Sequence, residues 1–167
     1  DDQAVVLSDG ILSTDNVHML FELGAIGKGY AIAQAAKVID MEEMSGGIIS
    51  AGSSILTFGT KPDGSKFRVA LRDPRGGQDD RIGIITATDT SISTSGDYEK
   101  YFEEDGVRYH HILDARTGYP ADSGLMSVTV INSDSTLCDA LSTAGFILGL
   151  DEGMELMDKY GVLAIFV

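Results

Sequence analysis

The feature that most constrains this fold is a helical pattern almost without charge at residues 137–149, LCDALSTAGFILG. Apolar side chains recur along one face of the predicted helix 136–148, at Leu137, Leu141, Ala144 and Leu148. Cys138, the single cysteine, fits this helix as a small core residue. The preceding NSDST segment offers several N-cap residues. A helix this apolar is stable only when other elements bury it, so the rest of the chain must supply those surfaces.

Short strands are the surfaces that the sequence predicts. Runs rich in β-branched residues alternate with turn residues, and we predict strands at 4–7, 11–13, 46–50, 54–59, 67–72, 82–88, 90–95, 107–114, 125–131 and 162–167. The pattern also predicts a helix over 27–38 and a last helix that Asp151 caps and Gly161 ends. Hairpins mixed with a few helices predict an α+β fold, a mixed or antiparallel sheet with helices packed on it, in a single domain over residues 1–167.

The charge balance excludes some classes of partner. The 167 residues carry a formal net charge of −14, which repels the phosphates of nucleic acids and of anionic lipid headgroups. We therefore expect no nucleic-acid partner. A phosphate-bearing ligand would need a metal ion, a helix N-terminus or a placed lysine against this field. No apolar run approaches the roughly 18 residues of a membrane-spanning helix, so no span is predicted in this chain.

Two polar residues interrupt the apolar helix. Asp139 and Thr143 are four residues apart and therefore share one helix face. A carboxylate and a hydroxyl stacked in this way can give two oxygen ligands to a hard cation such as Mg²⁺. The alternative is a solvated polar face, which is the commoner outcome for this spacing. A lone carboxylate on a nearly uncharged helix needs a partner, and this favours the metal hypothesis.

A glycine-rich segment, FELGAIGKGYA at residues 21–31, opens the predicted helix 27–38. Free N–H groups at a helix start attract anions, and glycine lets a phosphate approach the backbone. The segment is not a P-loop, because Glu22 stands where the first glycine is required and Gly29 follows Lys28. It is not a dinucleotide-binding fingerprint either, because Ile32 stands at the third glycine position. A glycine-rich turn into a helix without any ligand is the alternative.

The segment YHHILDARTGYP, residues 109–120, contains adjacent histidines at the end of a predicted strand. His110 and His111 should point to opposite faces, so that one of them at most faces a pocket on one side of the sheet. A histidine near neutral pH can accept a proton from a hydroxyl nucleophile, although a core or turn histidine is the commoner case. Asp114 could brace the turn that follows. The segment STSGDYEKYF at 93–102 offers a serine without a G-x-S-x-G elbow.

Taken in order, six segments resemble the FAD:protein FMN transferase family, the ApbE-like flavin transferases. They are ELGAIGKGYA, AGSSILTFGTKPDG, FRVALRDPRG, STSGDYEKYF, YHHILDARTGYP and CDALSTAGFILG. The resemblance implies an ApbE-like (T-fold-like) domain and a transferase of phosphorus-containing groups. Such an enzyme uses Mg²⁺ to cleave FAD and attaches FMN through a phosphoester to a threonine of an acceptor flavoprotein, such as a subunit of a membrane redox complex.

The resemblance also implies the site residues. The side chains of Asp139 and Thr143, with the backbone carbonyl of Ala25, match the family's Mg²⁺ ligands. Further residues match family positions that act on FAD or on the acceptor: Glu22 and Lys28 contact FAD, Ile112 touches the flavin nucleotide, and His111 is the catalytic base.

The chain departs from the family pattern in several places, and these leave alternatives open. Glu22 stands in place of the usual Asp, Ala115 in place of Pro, and Ser53–Ser54 in place of a glycine pair. The family's N-terminal portion is also missing from this sequence, so we expect a C-terminal piece of a longer enzyme. That enzyme is expected to be an extracytoplasmic lipoprotein, anchored through a segment not present here.

Two other functions remain as alternatives. The first is an FAD-binding or Mg²⁺-dependent FAD-hydrolysing module without a protein acceptor, and the missing N-terminal portion favours it. The second is a domain that only packs against a partner. The presence of Asp139, Thr143 and His111 argues against this second alternative.

Overall fold

The computed structural model describes residues 5–39 and 43–167, and their elements follow the predicted α+β order. The elements are β1 (Val5–Ser8), β2 (Ile11–Thr14), α1 (Gly27–Val38), β3 (Gly46–Ala51), β4 (Ser54–Gly59), β5 (Phe67–Arg72), β6 (Arg81–Ala87), β7 (Thr90–Gly96), β8 (Tyr101–Glu104), β9 (Val107–His110), β10 (Ser127–Asn132), α2 (Ser135–Leu148), α3 (Leu150–Tyr160) and β11 (Leu163–Phe166). Residue 4, the first of the predicted strand 4–7, lies outside the described residues. None of the described helices is long and apolar enough to cross a membrane.

Five strands form the central sheet of the described residues. Their order is β11-β10-β7-β4-β3, and every neighbouring pair runs antiparallel. The other strands form two-stranded hairpins, β1–β2, β5–β6 and β8–β9. The predicted architecture, a sheet with helices packed on it, is confirmed, and the sheet takes the antiparallel form.

Both faces of the central sheet are covered. On one face α2 packs across β7 and β10, where Val128 and Val130 are 0% exposed. On the other face the β5–β6 hairpin packs Val69 and Ala87 against Ile92 of β7. Along β5 buried and exposed residues alternate, as the sequence predicted, because only the inner side of the hairpin meets the sheet.

Helix α2 begins within one residue of its predicted start because Asp134 caps it. The Asp134 carboxylate accepts hydrogen bonds from the N–H groups of Thr136 at 2.8 Å and Leu137 at 3.1 Å. The apolar side of α2 enters the main core cluster with Cys138, Leu141 and Phe146. Helices α1 and α3 pack on its remaining sides, so the nearly uncharged helix is buried, as the sequence required.

The predicted strand 107–114 is too long, because β9 ends at His110. After His110 the chain turns back on itself: the Ala121 N–H donates to the Ile112 carbonyl, and Leu113 bridges to Pro120. Asp114 braces this turn, as predicted, by accepting a hydrogen bond from the Arg116 N–H at 2.9 Å. The pairing partner of β9, strand β8, was not predicted, because its charged residues have low β propensity.

The predicted cap of the last helix is also wrong. Gly149, with φ 85°, separates α2 from α3 and is the N-cap of α3, so Asp151 lies inside the first turn. A carboxylate at this position stabilises the helix through the positive end of its dipole. Gly161 ends the helix in the left-handed conformation, as predicted.

The start of α1 crosses α2 at very short range, and Gly29 makes this possible. A Cβ atom at position 29 would overlap the Ser135 carbonyl oxygen and lie 2.7 Å from the Asp139 Cβ. Gly27, two residues earlier in the same helix, has nothing within 4 Å of a built Cβ. The contact between the two helices therefore depends on glycine at position 29 and not at position 27.

We expect Gly29→Ala to destabilise the protein by about 1–3 kcal/mol, because the added methyl must push α1 away from the α2 backbone. Gly27→Ala is the matched control and should be neutral or stabilising by up to roughly 1 kcal/mol, because alanine loses less backbone entropy than glycine in a helix. Urea unfolding of both variants measures the difference. Equal stabilities would contradict the close packing of α1 on α2.

We expect Cys138 to be unreactive in the folded protein. The side chain is 0% exposed, and burial raises the pKa of its thiol to about 12. Because the thiolate is the reactive form, only about one thiol in 10⁴ is reactive at pH 8, and access is blocked as well. A thiol reagent such as DTNB at pH 8 should label the protein in urea but not under native conditions. Native labelling at the rate of the unfolded chain would contradict this expectation.

Candidate functional site

The Asp139 carboxylate is buried at the crossing of α1, α2 and β4. The residue is 1% exposed, and both carboxylate oxygens have donors. The Gly29 N–H donates to Oδ2 at 2.8 Å, the Ser54 hydroxyl donates to Oδ1 at 3.2 Å, and the Lys28 ammonium lies 3.0 Å from Oδ1. The sequence also allowed a solvated polar face for Asp139 and Thr143. For Asp139 this alternative is wrong, because the side chain is buried. Charge-assisted hydrogen bonds and an ion pair compensate its burial.

The bond from Gly29 satisfies a free donor at the start of α1. Gly29 is the third residue of this helix, and the N–H groups of the first turn have no partner within a helix. The Gly29 N–H donates to Asp139, and within residues 5–39 and 43–167 no backbone hydrogen bond reaches the Ala25 oxygen. Ala25 lies in the exposed turn that precedes α1. The arrangement leaves a carbonyl acceptor available one turn before the residue that binds Asp139.

Lys28 and Glu22 shape the same turn. The Lys28 side chain is 37% exposed, and its ammonium donates to the Gly24 carbonyl at 3.2 Å while it pairs with Asp139. The Glu22 carboxylate is exposed and accepts a hydrogen bond from the Gly24 N–H at 2.9 Å. The ammonium of Lys28 and the positive end of the α1 dipole thus lie together at the surface, an arrangement that attracts an anion.

Thr143 lies one turn after Asp139 on α2 and is partly buried. Its hydroxyl lies 2.9 Å from the Ser95 hydroxyl of β7, and it donates to the Asp139 carbonyl at 3.4 Å. A carboxylate, a hydroxyl and the available Ala25 carbonyl are all hard oxygen donors, so the residues present fit Mg²⁺. In the described ranges no three His, Cys, Asp or Glu side chains converge, so the candidate site offers one carboxylate together with neutral oxygens.

The adjacent histidines point to opposite sides, as predicted. His110 is 8% exposed and faces the core: Nε2 lies 3.1 Å from the Ala121 carbonyl, and Nδ1 accepts from the Ile112 N–H at 3.3 Å. His111 follows the end of β9 and is exposed, with Nδ1 3.2 Å from the Lys100 carbonyl. Over the described part of the chain no hydrogen bond joins His111 to the Asp139 cluster. The side chain of Ile112 lies in the main core cluster and is 6% exposed.

The sequence analysis missed the serines that contact the predicted metal ligands. Ser54 was noted only as a departure from a family pattern, and Ser95 only as part of a strand and as a serine without a nucleophile elbow in the segment at 93–102. The available signal was the alternation of Ser91, Ser93 and Ser95 along β7, which places three hydroxyls on one face of a buried strand.

A second charged cluster, also missed, lies beside β9. Asp97 is 7% exposed, and Arg75 binds it with two hydrogen bonds, at 2.8 and 2.6 Å. This pairing raises the pKa of the Arg75 guanidinium. Arg108 lies 3.7 Å from the same carboxylate, and a cavity of about 450 Å³ is lined by these residues and by His110. Asp97 is already paired, so the cluster braces the loop at residues 73–80 against β9.

Comparison with known sequences shows the family. The model of the ApbE family matches residues 2–166. The FAD:protein FMN transferase of Treponema pallidum is 35% identical over 158 residues, which cover 89% of this chain and 44% of that protein. One from Klebsiella pneumoniae is 39% identical over 150 residues, covering 89% of this chain and 46% of that protein. The Vibrio cholerae protein of the same name is 32% identical over 163 residues, which cover 98% of this chain and 49% of that protein. The chain thus spans about half the length of these curated relatives.

Solved structures agree with the sequence comparison. The ApbE protein of Thermotoga maritima superposes with a TM-score of 0.87 at 38% identity, over 99% of this chain and 54% of that one. The flavinyl transferase ApbE of Pseudomonas stutzeri superposes with a TM-score of 0.79 at 32% identity, over 100% of this chain and 51% of that one. A family model that matches residues 2–166 and solved structures that superpose over nearly the whole chain have one explanation: the chain belongs to the ApbE family.

Proposed function

We propose that this chain is the phosphate-handling part of an FAD:protein FMN transferase, a Mg²⁺-dependent enzyme that cleaves FAD and attaches FMN to a threonine of an acceptor flavoprotein. The observation that carries the proposal is the buried Asp139 carboxylate, held by the Gly29 N–H and by Lys28 at a glycine-rich helix start. The name shared by the curated relatives supports the reaction type.

The electrostatics of the chain agree with this proposal. With a net charge of −14, the protein as a whole repels the pyrophosphate of FAD. The turn before α1 supplies positive charge against this field through the Lys28 ammonium and the helix N-terminus, and because Lys28 also balances Asp139, a bound cation would complete the local reversal. A phosphate ligand should therefore bind at this turn in preference to the rest of the described surface.

Asp139, Thr143 and the Ala25 carbonyl would hold the Mg²⁺. When bound, the ion would neutralise the negative charge on the phosphoryl group that is transferred. The chain's own residues prepare this arrangement: Gly29 and Ser54 fix the two carboxylate oxygens of Asp139, and Lys28 lies within reach of an anion at the surface.

The proposed reaction forms a bond between the acceptor threonine oxygen and the FMN phosphorus and breaks the pyrophosphate bond, so that AMP leaves. His111 would accept the proton of the threonine hydroxyl. The carbonyl of Lys100 can only accept hydrogen bonds, so the 3.2 Å contact assigns the neutral ring's proton to Nδ1. Nε2 of the exposed ring then keeps its lone pair for the acceptor. Ile112, Glu22 and Lys28 are the residues proposed for the FAD side of the site.

A second candidate is an FAD-binding or Mg²⁺-dependent FAD-hydrolysing module, with water in place of the acceptor threonine. It is favoured by the exposure of His111 and of the turn at Gly24 and Ala25, which gives water free access to the proposed reaction site. On the family resemblance alone, we further propose an acceptor in a membrane redox complex and an extracytoplasmic, membrane-anchored location.

One experiment separates the two candidates. The protein is incubated with FAD, Mg²⁺ and an acceptor flavoprotein domain, and the acceptor is weighed by mass spectrometry. A covalent FMN on the acceptor threonine supports transfer, whereas FMN and AMP released without labelled acceptor support hydrolysis. Loss of both products in EDTA, and their return with added Mg²⁺, is expected for either candidate.

We expect Asp139→Asn to weaken cation binding by about 100-fold or more, because outer-shell partners alone are worth about 10–100-fold and Asp139 is proposed as a direct ligand. Mn²⁺, which takes the same hard oxygen ligands, is the probe, and electron paramagnetic resonance measures its free concentration. Asp134→Asn is the matched control: it removes the same charge from the same helix, and asparagine is an equally good N-cap. Equal Mn²⁺ affinities in the two variants would refute the metal assignment.

We expect His111→Ala to slow FMN transfer by about 10²–10⁴-fold, the usual contribution of a general base, with little change in stability because the side chain is exposed. His110→Ala should instead cost about 1–3 kcal/mol of stability, because it removes two buried hydrogen bonds. Single-turnover transfer and urea unfolding distinguish the two effects. Normal transfer by His111→Ala would show that the base is another group.

A further inference from the structure

A row of hydroxyls lies between β7 and α2, and we call it the serine seam. Ser91, Ser93 and Ser95 alternate along β7 and face the helix, because residues two apart share one face of a strand. On the helix side, Ser135, Asp139 and Ser142 are spaced to share one face of α2. The seam thus brings three strand serines against the helix face that carries Asp139.

Two of the three strand serines bind the helix directly. Ser91 Oγ lies 2.6 Å from Ser135 Oγ. Ser95 Oγ lies 2.9 Å from Ser142 Oγ and 2.9 Å from Thr143 Oγ1. At the middle position the Ser93 hydroxyl is buried and has no hydrogen-bond partner among the described residues. Its cross-strand neighbour on β4 is Ser54, whose hydroxyl binds Asp139.

Packing alone does not require hydroxyls in this row. In the register of the sheet, Val130 lies opposite Ser93 and Val128 opposite Ser95, so valines fill the same face one strand away. Both valines are 0% exposed under the same helix. A buried hydroxyl gains little net stability from its hydrogen bond and loses stability when unpaired, as Ser93 is. The position of the hydroxyls next to Asp139 and Thr143 therefore calls for a functional explanation.

We propose that Ser54 and Ser95 are positioning residues that hold the Asp139 carboxylate and the Thr143 hydroxyl in the arrangement that binds the divalent cation. The proposal rests on the proposed function. It extends that function from the direct ligands to two residues on the neighbouring strands β4 and β7. Neither serine touches the substrate in this account. Each acts through the α2 residue that it binds, Ser54 through Asp139 and Ser95 through Thr143.

The hydrogen-bond inventory explains why Thr143 needs Ser95. A threonine hydroxyl has one proton and two lone pairs, and in a helix it divides between two side-chain rotamers. The Thr143 proton goes to the Asp139 carbonyl, and the Ser142 proton can go to Ser95 Oγ, 2.9 Å away. The Ser95 proton can then be donated to Thr143 Oγ1, which leaves one lone pair of that oxygen for a cation. Ser95 thereby selects one rotamer before the cation arrives.

The test compares three serine-to-alanine variants. Ser54→Ala and Ser95→Ala each remove one positioning hydroxyl. Ser91→Ala is the matched control, because Ser91 belongs to the same strand face, is 0% exposed and binds Ser135, which is not a proposed ligand. Binding of Mn²⁺ to the protein without FAD is followed by electron paramagnetic resonance, and urea unfolding reports stability. Ser95→Thr keeps the hydroxyl and serves as the rescue variant.

We expect the three alanine variants to lose similar, small amounts of stability. Ser54→Ala and Ser95→Ala should bind Mn²⁺ about 10–100-fold more weakly, the usual effect of losing an outer-shell partner, while Ser91→Ala binds like the wild type. Ser95→Thr should restore binding. If the wild type binds Mn²⁺ and all three alanine variants bind it equally, the positioning role is overturned while the metal site stands. If the wild type binds no Mn²⁺, either alone or after FAD is added, the metal site of the proposed function is overturned, and this inference with it.

Discussion

The buried carboxylate of Asp139 is the interaction on which the rest of this structure depends. It joins three elements, because Asp139 lies on α2 and its donors come from α1, through Gly29 and Lys28, and from β4. A charge that is 1% exposed is tolerated only with such partners, and removing the charged one, Lys28, would leave an uncompensated charge in the core. The bond from Gly29 also holds the start of α1, and with it the turn that carries the Ala25 carbonyl, beside Asp139. One interaction therefore packs α1 on α2 and also assembles the candidate site.

Helix α2, which carries Asp139, covers two different kinds of surface. Over β10 it packs on valines, and over β7 it packs on serines, although both strands belong to one sheet. The apolar half supplies stability through burial, whereas the polar half adds little and leaves the Ser93 hydroxyl unpaired. Polar residues in an otherwise apolar core are expected at functional sites. There the loss of stability from unpaired or weakly paired polar groups is offset by packing elsewhere in the fold. The polar half is also the half that faces the proposed ligands.

Short-range features of the sequence correctly predicted the structures that depend only on neighbouring residues. The alternation in β5, the Asp134 region as the cap of α2 and the left-handed Gly161 all follow from short-range rules. Strand β8 was missed because two of its four residues are glutamates, which have low β propensity, and its pairing is with β9 alone. The partner of Asp139 could not be predicted either, because Gly29 lies 110 residues away and no periodicity encodes that contact. In the sequence, Ser54 was recognised only as a departure from the family pattern. Its hydrogen bond to Asp139 forms only when the fold brings β4 beside α2.

The charges at the candidate site show why a cation and a phosphate should bind together. In this structure Lys28 already balances Asp139, so a divalent cation added beside them leaves an excess of positive charge. A pyrophosphate dianion at the start of α1 removes that excess, and without the cation it would meet one ammonium and the repulsion of a chain of net charge −14. Each ligand thus improves the site for the other, and linkage requires the effect to be reciprocal. Lys28 is suited to this coupling, because its partly exposed ammonium can turn from the carboxylate to the phosphate as the cation takes its place.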